Sequence, residues 1–268
     1  MDKNPELIQP EDWMHPIAGG RAVPVFLIHD GGGTTFAYHC LDPLQRPVYG
    51  IHNPHFRTQE IFEGGIAEMG RLYSKYIKEA IAEPGFPTRR NQDGSVDILL
   101  GGWSMGGLLS LEVARQLADD CSLRIIGILM MDSVCTIKNS SNPLVAPTNT
   151  SEEGKTKNQV LSMRSMTEAR RMLATWDLPV WDGHLTGKRP KMSLIRARGT
   201  VPMDGAGVSL VDAHREERNL GWDRYEENMF TEVVDVDGHH FDMFSFDHIP
   251  GVTEAIKKSL EKLEVASY

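Results

Sequence analysis

Cysteine is scarce. Cys40, Cys121 and Cys135 are the whole complement in 268 residues, an odd number with no CxxC pair. Neither a disulfide framework nor a Cys-rich zinc site is expected, and a reducing, cytoplasmic compartment is. Long apolar runs are missing as well: no stretch approaches the ~18 consecutive apolar residues of a membrane span. The opening MDKNPELIQPEDWMH lacks the basic flank and apolar stretch of a secretory signal. Positive charge is in deficit, with 28 Lys and Arg against 37 Asp and Glu and a net charge of −9. That balance argues against general binding to nucleic acid or to an anionic membrane. No internal repeat or low-complexity tract interrupts the chain. Its 40% hydrophobic and 24% charged residues are ordinary for a globular protein and exclude disordered and fibrous classes.

What is present alternates between two periods. Pro24–Asp30 (PVFLIHD), Pro47–Asn53 (PVYGIHN), Val96–Gly101 (VDILLG), Arg124–Met131 (RIIGILMM), Met192–Ala197 (MSLIRA) and Glu232–Val236 (EVVDV) read as strands. Most lack apolar/polar alternation, as expected of parallel strands covered on both faces. Helical spacing appears in 58–83, 105–119 and 251–264. Residues 84–95 (PGFPTRRNQDGS) read as a surface loop on their Pro and Gly content. The alternation implies a doubly wound α/β sheet whose strands' carboxyl ends share one edge, where ligands bind in such sheets. One domain over 1–268 is expected. A helical insertion at about 137–190 interrupts the rhythm and reads as a lid over that edge. In it Val160, Met163, Met166, Ala169, Leu173 and Trp176 form one apolar stripe.

The strongest chemical signal is Gly102-Trp103-Ser104-Met105-Gly106, between the strand ending at Gly101 and a helix beginning near Gly107. This is GxSxG in a strand–turn–helix context. A nucleophile on so sharp a turn leaves no room for side chains two residues away, and glycine removes them. A serine hydroxyl needs a base to take its proton. His239 and His240 follow the last strand and lie C-terminal to Ser104, on the right edge and in the right chain order. Spacing alone does not choose between them. The base in turn needs a carboxylate, and Asp132 and Asp204, each after a strand, both qualify. The oxyanion of an acyl-transfer intermediate needs two backbone N–H donors. Met105, after the nucleophile, would supply one. Gly31 in Asp30-Gly31-Gly32-Gly33 would supply the other.

These segments resemble a known group. HDGGGTTFAY (29–38), RPVYGIHNP (46–54), GGWSMGGLLSLEVARQL (101–117), MMDS (130–133) and GHHFDMF (238–244) are similar to the thioesterase domains that end polyketide and nonribosomal peptide synthases, fungal polyketide examples above all. The resemblance spans roughly 22–250 and is weakest in 137–190. It implies an α/β-hydrolase fold with a helical lid. It makes Asp132 the acidic partner, because in that family the acid follows the strand after the nucleophile. The pattern Gly-x-His-Phe-x-Met, matched by Gly238, His240, Phe241 and Met243, makes His240 the base. Such domains usually sit at the end of a megasynthase, whereas this chain starts at Met1 and reads as a stand-alone enzyme.

The resemblance further implies an acyl chain tethered through phosphopantetheine to an acyl carrier protein. Release would follow by hydrolysis or by lactone formation, with no metal or organic cofactor. Trp103, Met105, Met163, Met166, Trp176 and Trp181 are candidates to line an apolar acyl pocket; methionine adapts readily to such a role. Segment 151–191 holds eight basic against five acidic residues. It reads either as a solvated face or as a docking patch for an acidic carrier protein. A carboxylester hydrolase acting on free small esters and a non-catalytic hydrolase-fold binding protein are the competing readings.

Overall fold

A computed structural model describes residues 3–10, 22–88, 90–136, 152–203 and 207–267. All six expected strands form: β2 (Val25–Ile28), β3 (Val48–Ile51), β4 (Val96–Trp103), β5 (Leu123–Met131), β6 (Lys191–Ala197) and β7 (Phe230–Val236). They pair in parallel in the order β3-β2-β4-β5-β6-β7. The short β1 (Glu6–Gln9) adds an antiparallel edge beside β3, and a single-turn helix, α1 (Phe36–His39), follows the loop after β2. Four residues between Pro5 and Pro10 are too few to display a period, so the sequence gives β1 no signature.

Both faces of this sheet are buried, which explains the unalternating strands. Phe26 and Ile28 of β2, with Ile98 and Leu100 of β4, face α2 (Gly65–Ala82) and α3 (Met105–Gln116). Val25, Leu27 and Leu99 face the other way, onto α5 (Ile249–Val265). The arrangement is that of an α/β-hydrolase. Helix α2 starts seven residues later than the apolar spacing predicts. Gly65 takes φ +58° and breaks the helical path, and the Glu68 carboxylate instead accepts the Gly64 N–H at 2.7 Å. Phe62 is buried all the same, which is why its position matched the helical pattern.

Between β5 and β6, the first part of the expected insertion, 137–151, lies outside the described residues. Residues 152–190 hold α4 (Lys157–Thr175) and no strand. Thr156 starts α4 with a reciprocal capping box to Gln159, which satisfies two otherwise orphaned amides. The helix seats differently from its predicted stripe. Leu161, Ser165, Ala169 and Met172 are buried, so only Ala169 of the expected set points fully inward. Helix α4 crosses the loop after β2: a methyl group on Gly31 would meet Ala169 Cβ at 3.5 Å, and one on Gly32 would meet Met166 Cε at 3.5 Å.

Leu260 on α5 is fully buried against the sheet. Leu260→Ala is expected to cost about 2–5 kcal/mol of stability, read as a lower denaturant midpoint at unchanged slope.

Candidate active site

Strand β4 ends at Trp103 and α3 begins at Met105, which leaves Ser104 alone in the turn with φ 56° and ψ −118°. A non-glycine residue in that region is strained and must be held by its surroundings. The holding comes from backbone contact. A Cβ on Gly102 would lie 2.4 Å from the Gly106 carbonyl carbon, and one on Gly106 would lie 2.2 Å from Ile28 O. Strand, turn and neighbouring strand therefore touch main chain to main chain. Hydrogen bonds complete the clamp: Ser104 N donates to Met131 O (2.8 Å) and Ser133 Oγ donates to Ser104 O (2.7 Å). The buried Tyr38 hydroxyl donates to Ile28 O (2.6 Å) and accepts the Trp103 N–H (2.9 Å).

The two candidate histidines part company. Gly238, at φ +90°, turns the chain after β7. His240 then enters the interior, where its Nε2 lies 3.0 Å from Ser104 Oγ and its Nδ1 2.8 Å from Asp132 Oδ2. A carboxylate only accepts, so Nδ1 carries the proton there and Nε2 is free to accept from the serine hydroxyl. His239 instead faces Asp242 at 3.3 Å. Asp204, the alternative acid, lies outside the described residues. Asp132, fully buried at the end of β5, also accepts from Ala197 N (2.9 Å). Arg215 grips it from both sides, Nη1 to Oδ1 at 2.6 Å and Nη2 to Oδ2 at 2.7 Å. Burial opposes the Asp132 charge, but bonds from Arg215 and then His240 outweigh it and hold the pKa at about 2. The carboxylate is thus ionised at any ordinary pH.

Arg215 was not legible in the sequence. It sits in His214-Arg215-Glu216-Glu217-Arg218, a stretch that reads as a solvated charged face, and no spacing rule ties it to Asp132, 83 positions away. Ser133 and Tyr38 fall within the motif segments but carried no assigned role there.

Gly31 and Met105 border one cavity of about 250 Å³ beneath α4, together with His29, Asn53 and Met172. Met105 is the first residue of α3, so its N–H has no carbonyl within the helix to bond. Trp103 is half-buried, its ring 5.5 Å from that of His240 and 5.1 Å from that of Phe244. Met163 and Met166 line a second, more open cavity of about 490 Å³, walled also by Thr34, Phe36 and Phe56. The Trp176 indole N–H donates to the buried Glu112 (3.2 Å) and its ring packs on the core, as does that of Trp181; neither of them, nor Trp103, borders these two cavities. Among the described residues no cluster of three His, Cys, Asp or Glu side chains is arranged to hold a metal, and no helix is long and apolar enough to cross a membrane.

Two further titratable groups flank the site. Burial lowers the His29 pKa to about 4, against the bond to the Asp30 carbonyl. The ring is neutral, with Nδ1 donating to Asp30 O (2.5 Å) and Nε2 accepting from Tyr73 Oη (2.7 Å). Asp30 moves the opposite way: burial raises its pKa to about 6, while the Gly32 amide and the charge of His240 oppose the rise. A carboxyl with a raised pKa adds stability below its unfolded value near 3.8, and that stability is lost as pH climbs through about 6. Asp30→Asn removes this titration. Its stability relative to wild type is expected to grow between those two pH values by on the order of 1–3 kcal/mol, measured by thermal melts across that range.

No family model matches the chain. It is 33% identical to the probable thioesterase gloN of Glarea lozoyensis, over 100% of both chains. It is 28% identical to the nonribosomal peptide synthetase imqB of Aspergillus flavus, with 98% of this chain matching 8% of that protein. Among solved structures, the NocB thioesterase domain in covalent complex with a fluorophosphonate nocardicin G analogue superposes with a TM-score of 0.62 at 24% identity, covering 92% of this chain and 97% of that one. Full-length identity of this order establishes membership: the chain belongs to the thioesterase family that its motifs resemble, and it is a hydrolase of the α/β-hydrolase fold.

Proposed function

We propose that the protein takes a polyketide-type acyl chain from a carrier-protein thioester onto Ser104 and releases it by hydrolysis or by intramolecular cyclisation to a lactone. The observation that carries this reading is the unbroken hydrogen-bond series from Ser104 Oγ through His240 to Asp132. Ser104 is the nucleophile, His240 the base and Asp132 the acid that fixes the imidazole tautomer. As Ser104 Oγ attacks the thioester carbonyl, its proton passes to His240 Nε2 and Asp132 stabilises the resulting imidazolium. The Gly31 and Met105 amides receive the oxyanion. Collapse expels the pantetheine thiol, which leaves with the proton from His240. Water or a substrate hydroxyl, deprotonated by the same histidine, then attacks acyl-Ser104.

The described part of the insertion, 152–190, acts as the lid of a single domain, and its Met163 and Met166, with Trp103, contact the acyl chain. A carrier-protein partner is supported by the synthetase relative, 8% of whose length this chain matches. Docking on 151–191 is narrower than charge counting suggests. Arg164, Arg171, Lys188 and Arg189 already pair with Glu152, Glu168, Asp119 and Glu226. Lys157 and Arg170 remain exposed and without an ion-pair partner among the described residues, so they carry the patch. The three cysteines are free thiols, in keeping with a cytoplasmic enzyme.

Intact-protein mass spectrometry after mixing with a medium-chain acyl-pantetheine thioester tests the chemistry. An acyl adduct is expected on wild type and not on Ser104→Ala, and the released species separates acid from lactone. Absence of both adduct and free thiol with wild type would overturn the proposal, and faster turnover of p-nitrophenyl esters would favour a carboxylester hydrolase. The doubly charge-reversed variant K157E/R170E is expected to raise KM for a carrier-bound acyl chain while leaving KM for the acyl-pantetheine unchanged. Equal effects on both substrates would remove the docking patch.

A further inference from the structure

Arg215 is the most heavily bonded charged side chain near Ser104, and the acyl-transfer steps do not call on it. Its guanidinium is almost fully buried, and every nitrogen is engaged. Nη1 and Nη2 straddle the Asp132 carboxylate; Nη1 also reaches Ala197 O (2.8 Å) and Nη2 reaches Val211 O (3.2 Å). Nε donates to Asp212 Oδ1 at 3.0 Å, and Asp212 Oδ2 accepts the Val201 N–H at 2.7 Å. The connection between β6 and β7 is thus bolted to the end of β5 through one side chain. Asp132 accepts four donors on two oxygens: Arg215 and Ala197 on Oδ1, Arg215 and His240 on Oδ2. A carboxylate held at both oxygens cannot rotate about its last bond, so Oδ2 has one place to be, 2.8 Å from His240 Nδ1.

Taking the Ser104–His240–Asp132 assignment as its basis, we infer that Arg215 is a positioning residue for acyl transfer, which locks the Asp132 carboxylate in the orientation that His240 requires and keeps it charged. The two effects separate chemically. Orientation depends on the planar two-point fork, which only a guanidinium provides; charge retention depends on any cation at that place. The charged and titratable groups around the pair come from four elements. Asp132 stands on the end of β5, His240 follows β7, Arg215 and Asp212 come from the β6–β7 connection, and Asp30 lies on the loop after β2, where His240 acts on it.

The test is the rate of covalent labelling by a fluorophosphonate, followed by intact mass across the acid range, for wild type, Arg215→Lys and Arg215→Met. The probe reports attack by Ser104 without a carrier protein or a chosen acyl chain. Arg215→Lys keeps a cation between Asp132 and Asp212 and loses the fork. It is expected to label roughly 10–100-fold more slowly, the cost of a small misplacement of a reacting group, with the acid fall-off where wild type has it. Arg215→Met leaves burial unopposed by a guanidinium, so the Asp132 carboxyl takes up its proton at a higher pH. Its labelling is expected to be slower still and to fall off earlier as pH drops. A role confined to holding the fold together would lower the melting temperature of both variants without moving the acid fall-off of either. Arg215→Lys that labels at the wild-type rate, or folded Arg215→Met with the wild-type fall-off, would overturn the inference. If Arg215→Met does not fold, the rate of Arg215→Lys decides alone. Wild type that refuses the label overturns the Ser104 assignment itself, and the inference with it.

Discussion

Everything at the carboxyl edge of the sheet is built around a place where three stretches of main chain touch with no side chain between them. Gly102 lies against the Gly106 backbone, and Gly106 lies against the carbonyl of Ile28 on β2. Because these contacts are already at van der Waals distance, the chain between β4 and α3 has one route to follow, and Ser104 is carried into a backbone conformation it would not adopt alone. The same closeness brings the loop after β2 beside the first amide of α3. Gly31 and Met105 therefore border one cavity although 74 positions separate them.

A second constraint is electrostatic. A charged carboxylate at the fully buried Asp132 is costly unless every oxygen is bonded. The structure meets that cost with a fork, a backbone amide and an imidazole. The arrangement ties Asp132 to chain segments that are distant in sequence, the end of β6, the β6–β7 connection and the turn after β7. Asp30 and His29, side by side on the other flank, are displaced in opposite directions by the same burial, since burial disfavours the charged form of each.

Much of this was legible beforehand. The six parallel strands announce themselves because burial on both faces removes the alternation that a half-exposed strand shows. Ser104, Asp132 and His240 could each be placed at a strand end, and the motif resemblance chose Asp132 and His240 over their neighbours. Strand β1 was missed because it is short and depends on pairing with β3. The face of α4 was misjudged for a related reason. Its apolar stripe serves two environments, with Ala169 on the protein interior and Met163 and Met166 on a cavity wall, and hydrophobicity alone does not distinguish them.

By itself, then, the sequence determined what periodicity and local backbone demands encode: the order of strands and helices and the glycine-flanked turn at Ser104. Tertiary structure alone decided that Trp176 bonds Glu112 and that Arg215 clamps Asp132. The physical reason is range. Turn geometry and burial period act over a few residues and leave a pattern in the chain, whereas a hydrogen bond between positions 132 and 215 leaves none until the sheet has brought them together.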